Sequence, residues 1–151
     1  MALTKLGGYT VILSALALFV GQVLEDVIGQ TGSSIAQIWA SLGFACATVV
    51  FCTYFRKEDE DNGILYLIPI LALVGWTASV VGEGMRIPLD QINIESVNAV
   101  ASISGAASFS AAGGGFLANA LLGYYIFGKP QFSQNVIYRI VTVVFIIGSL
   151  A

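Results

Sequence analysis

The side chains able to do chemistry in this chain are few, and most stand in small groups beside apolar runs. Glu25 and Asp26 end one such run, with Gln22 and Gln30 at spacings that fit one helix face. Glu83 and Arg86 stand three apart at the end of another, followed by Asp90 and Glu95. Carboxylates at a membrane span attract cations and often mark ion or proton paths. Glu25, Asp26, Glu83 and Arg86 therefore form a candidate outer ion vestibule. The plainer expectation for the same residues is a solvated rim in which Arg86 pairs with Glu25, Asp26 or Glu83.

What the chain lacks narrows the chemistry further. It has no histidine, so it offers no imidazole to zinc, copper or haem and no His-based acid–base or triad catalysis. Cys46 and Cys52 are six positions apart in one apolar run, which puts them on different faces of a helix and argues against a disulfide or a shared metal. No nucleophile elbow or P-loop occurs, and Gly113 to Gly115 lack the Lys-Ser/Thr that a phosphate loop needs. No lysine or acidic residue falls mid-span, so a retinal Schiff base and an intramembrane proton-coupling carboxylate have no place. The expectation is a non-enzyme with no catalytic residue, no metal and no cofactor. A bound lipid or pigment would use faces that the sequence does not assign. Six basic residues scattered over several connections form no stripe for nucleic acid.

The most unusual local feature is a run of small residues at 102–115, SISGAASFSAAGGG. Ala107, Ala111, Gly115, Asn119 and Gly123 recur at four-residue spacing, and so do Ala106, Ser110, Gly114 and Ala118. Such rows let helices approach closely in lipid, where association has no hydrophobic driving force. Ala107, Ala111, Gly113, Gly114, Gly115, Asn119 and Gly123 are accordingly the expected helix-packing residues, within this bundle or against another subunit. A sharper alternative is a helix break at Gly113 to Gly115, of the kind that builds midplane ion sites.

The elements that must position these residues are hydrophobic runs. The mean hydropathy is +0.87 and only 10% of the 151 residues are charged, against about 25% in a soluble domain. The runs are apolar all round and too long and non-alternating for barrel strands. They predict an all-α integral membrane bundle, a single domain over 1–151. Five transmembrane helices are expected near 8–28, 35–55, 64–84, 97–127 and 135–151, with a turn at 30–34 and a charged, solvated loop at 56–62. The last segment is short, about 24 Å at 1.5 Å per residue, and if it does not cross, four spans remain. The apolar stretch after Lys5 resembles a signal peptide but continues to Ile28 without a cleavage pattern, so it is taken as the first span. Pro69 falls near the start of the third segment, where no strong kink is required. Most tyrosines and Trp39 fall near helix ends, as interfacial anchors do, whereas Trp76 lies deeper and is expected to pack in the bundle or to face a lipid or pigment.

Lys5, Arg56, Lys57, Lys129 and Arg139 share one side of this topology and Arg86 the other, so the N-terminus is expected in the cytoplasm. Two functions fit. The first is a non-catalytic subunit of a larger membrane protein complex, whose partners are other membrane subunits and lipids. The second is a small homo-oligomeric ion channel or transporter, its pore lined by Ser102, Ser104, Ser108, Ser110 and Asn119 behind the acidic vestibule.

Overall fold

The computed structural model describes residues 3–87 and 94–130 and, beyond them, Gln134, Val136, Arg139, Ile140, Val143, Ile146 and Ile147. Over 3–127 the described residues form four successive helices: α1 (Leu3–Val23), α2 (Glu25–Arg56), α3 (Ile64–Arg86) and α4 (Ile94–Phe127). No strand occurs among the described residues. Stretches of three helices, Lys5–Val23, Glu25–Arg56 and Ile64–Arg86, are long and apolar enough to cross a membrane. Twenty-three residues of α3 reach about 35 Å, against a hydrocarbon core of about 30 Å. The expected fifth segment, 135–151, lies almost wholly outside the described residues.

The first reversal differs from the sequence expectation. The turn is not at 30–34, and the first helix does not extend to Ile28. The chain leaves α1 at Leu24 (φ −104°, ψ 18°), makes one helical turn, and reorients at Gly29 (φ 72°, ψ 168°). That backbone region is open essentially only to glycine. The polar stretch Thr31-Gly32-Ser33-Ser34 resembles a loop by composition, but it is helical. Ser33 Oγ donates to the Gly21 carbonyl of α1 at 2.6 Å, so its hydroxyl ties the hairpin together. Glu25 and Asp26 consequently open α2 rather than close α1, where carboxylates complement the positive end of the helix dipole.

The other boundaries lie close to expectation. α3 runs unbroken through Pro69 and two residues further than expected, to Arg86. The Asn62 side-chain oxygen accepts from the Ile64 backbone N–H at 3.2 Å at its start. α4 begins three residues early, at Ile94, and ends at Phe127 before Gly128.

The helices lie in a row. α1 packs on α2, α2 on α3, α3 on α4, and α2 makes a small contact with α4. Among the described elements α1 touches α2 alone. The core lies between α2, α3 and α4, where Cys52, Phe55, Leu65, Ile68, Ala72, Trp76, Ala118, Leu122 and Tyr125 pack together. Large apolar side chains such as Leu13, Leu16, Phe19, Ile70 and Val74 point outward, as expected of surfaces that meet lipid or other membrane helices.

Candidate functional site: a polar seam with two charged ends

The buried positions of α2 fall on a seven-residue repeat. Ser34, Ser41, Thr48 and Phe55 make one row; Ser33, Ala40 and Ala47 make the next. A strict repeat of seven keeps one seam turned toward a neighbouring helix. Three residues of the first row carry hydroxyls, and each meets a polar partner across the interface. Ser34 Oγ donates to Glu83 Oε2 at 3.0 Å. The Ser41 and Ser79 hydroxyls are 3.2 Å apart. The Thr48 hydroxyl lies 2.8 Å from the Phe44 carbonyl and 3.3 Å from Asn119 Oδ1 of α4. In lipid, hydroxyl and amide groups are satisfied by such cross-helix bonds or by their own backbone, and they fix the register of the helices.

At the end of this seam Glu83 is buried, with 4% of its surface exposed. Its carboxylate accepts from Ser34 and from Arg86 Nη1, which lies 3.3 Å from Oε1 and 3.4 Å from Oε2. A buried carboxylate needs such pairing, because desolvation of an unpaired charge costs several kcal/mol, on the order of the penalty that removal of one partner exposes. Of the four expected vestibule residues, the structure brings Glu83 and Arg86 together. Glu25 and Asp26 are exposed, and among the described residues neither forms an ion pair.

The opposite end of the bundle carries a second cluster. Asp59, in the loop after α2, accepts at Oδ2 from Asn62 Nδ2 (3.1 Å), the Tyr125 hydroxyl (3.2 Å) and Lys129 Nζ (3.4 Å). The Asn62 amide, followed by Tyr125 and Lys129, holds the Asp59 carboxyl below its ordinary value. Tyr125, and after it Asp59, push the Lys129 ammonium above its own. The ammonium also sits 4.6 Å from the centre of the Tyr125 ring. The sequence reads 56–62 as a solvated loop; Lys57, Glu58, Glu60 and Asp61 are exposed, and Asp59 is in addition tied to the end of α4, 66 residues along the chain.

The small residues of α4 divide. The helix is continuous through Gly113 to Gly115, with no positive φ among them, so the backbone there exposes no midplane N–H groups. A Cβ on Gly114 would lie 3.4 Å from Gly75 Cα of α3, and one on Gly115 would lie 2.6 Å from the Trp76 ring. These two glycines admit the close approach of α4 to α3. Gly113 faces open space, Gly123 and Asn119 are buried, and the side chains of Ala107 and Ala111 lie outside the described residues. Trp76 is held between Phe44 (5.3 Å, stacked) and Phe116 (5.2 Å, edge-on), with its indole N–H buried against α4 and lacking an acceptor among the described residues. Of the expected pore-lining serines, Ser102 is exposed; the side chains of Ser104, Ser108 and Ser110 lie outside the described residues.

Sequence reasoning passed over Ser34, Ser41, Thr48 and Ser79. Ser34, Ser41 and Thr48 carried a signal, the seven-residue spacing of hydroxyls in one apolar run, overshadowed by the conspicuous small residues of α4; Ser79 lies on α3, outside that repeat. Among the described residues no group of three or more cysteine or carboxylate side chains is placed to hold a metal. The chain matches no protein-family model, no curated protein and no solved structure.

Proposed function

We propose that this chain is a non-catalytic, multi-pass subunit of a larger membrane protein complex, acting by helix packing and assembly. The observation that carries the reading is the row arrangement: α1 touches α2 alone among the described elements and turns a long apolar face outward. Such a face suits a neighbouring subunit's helices as well as lipid. The polar groups between helices support the same reading, because Ser34, Ser41, Thr48, Ser79, Glu83 and Asn119 bond to one another rather than edge an aqueous path. The topology belonging to this proposal has a cytoplasmic N-terminus and five spans, with 135–151 as the fifth.

The deciding experiment is the mass of the gently solubilised native particle, with every chain in it identified. Other proteins at fixed stoichiometry are expected. A symmetric assembly of this chain alone, conducting ions after reconstitution, would replace the proposal with a channel. In that case Glu25→Gln or Asp26→Asn should alter cation selectivity.

A further inference from the structure

A groove of about 560 Å³ opens between the loop after α2 and the end of α4, edged by Asp59, Asn62, Ile64, Tyr124, Phe127 and Lys129. Its position, at the ends of three apolar helices, is where a membrane presents headgroups rather than chains. Its walls are aromatic, as interfacial positions are. Its charges are arranged by sign. Lys129 stands at one edge, and the Arg139 guanidinium lies 5.5 Å from the centre of the Phe127 ring that forms part of the wall. The anionic partner is Asp59, and its three donors among the described residues all converge on Oδ2, which leaves Oδ1 with capacity to accept another from them or from a ligand. Glu58 and Glu60 lie exposed on the same loop, which disfavours a ligand of purely negative charge.

We propose that this groove binds the headgroup of an ethanolamine phospholipid, with the ammonium on Asp59 and the phosphate toward Lys129 and Arg139. A primary ammonium donates directly to a carboxylate oxygen and forms a charge-assisted bond, which a quaternary choline cannot do. A glycerol headgroup brings the phosphate without the cation and meets the acidic loop. Ile64 and Tyr124 leave the acyl chains apolar surface along the outside of α3 and α4. The site stands whether the chain serves a complex or a pore.

The test uses the full-length chain in mixed micelles containing phosphatidylethanolamine, phosphatidylcholine and phosphatidylglycerol in equal amounts, with retained lipid read by native mass spectrometry. The ethanolamine lipid should be retained over the other two. Asp59→Asn should abolish that preference while phospholipid still binds. Arg139 is exposed, so Arg139→Gln leaves the Asp59 cluster intact, and it should weaken retention of every phospholipid roughly fivefold. Equal retention of the three lipids by the unaltered chain would overturn the proposal. So would unchanged selectivity in Asp59→Asn, or unchanged retention in Arg139→Gln. Displacement of the lipid by soluble glycerophosphoethanolamine would assign the groove to a soluble phosphate ester and overturn the lipid as its occupant.

Discussion

At the scale of single residues, the structure separates positions that look alike in the sequence. Gly113 and Gly115 belong to one glycine run, yet a methyl group on Gly115 meets the Trp76 ring at 2.6 Å while one on Gly113 meets nothing. Gly115→Ala should therefore destabilise the chain by about 1–3 kcal/mol, the usual cost of overpacking. Gly113→Ala should be neutral or stabilising by up to about 1 kcal/mol through helix propensity. Thermal unfolding of the two variants in detergent distinguishes them, and equal melting points would remove Gly115 from the α3 interface. The acidic residues divide in the same way. Glu83 is buried and paired, so Glu83→Ala should cost on the order of 2 kcal/mol, less than a fully buried pair because Arg86 is 34% exposed. Glu25→Gln and Asp26→Asn should stay within about 0.5 kcal/mol, measured by the same unfolding assay. The sequence placed all four charges at one membrane edge, but residue spacing carries no information on which carboxylate turns inward. Ser34, 49 positions from Glu83, decides that.

At the scale of elements, the existence and ends of α3 and α4 were legible because apolar runs bounded by charge and by Gly128-Lys129-Pro130 have no other stable form in lipid. The first hairpin was not. Ser and Thr in a polar stretch signal a loop in water, but within a membrane helix they bond across to the next helix, and the reversal falls to Gly29, the one glycine with positive φ among the described residues. The seam that results makes a quantitative expectation. A double-mutant cycle of Ser41→Ala and Ser79→Ala should give a coupling of about 0.6 kcal/mol, typical of hydrogen bonds between membrane helices. A coupling of zero would mean that the two hydroxyls are each satisfied by their own helix. The tie between the loop and α4 has a pH signature. Because the folded-state value of Asp59 lies below the ordinary 3.8, its stabilising contribution is fully present above that ordinary value and is lost as pH falls through the lowered one. The difference in melting temperature between the unaltered chain and Asp59→Asn should be constant near neutrality and disappear only in strong acid. A difference that vanished nearer neutrality would show that the carboxylate is not held by its three donors.

At the scale of the whole molecule, the helical class and the presence of helices long and apolar enough to cross a membrane are legible from composition and from the length of the apolar runs, whereas the order of helices in space is not, because every apolar face is chemically able to meet every other. Orientation remains open to direct measurement. With Cys46 and Cys52 replaced by alanine, Glu60→Cys should react with an impermeant thiol reagent from the cytoplasmic side only, and Asp26→Cys from the opposite side only. Reaction from the reverse sides would invert the topology proposed above. The row arrangement bears on how the molecule is made. Its two most extensive interfaces, α1 with α2 and α3 with α4, join segments that follow one another directly in the chain. A nascent polypeptide built this way does not hold an early helix unpaired until a distant one is synthesised, since each new span finds its main surface on the one just released. Local closure of this kind shortens the interval in which exposed helices can associate wrongly.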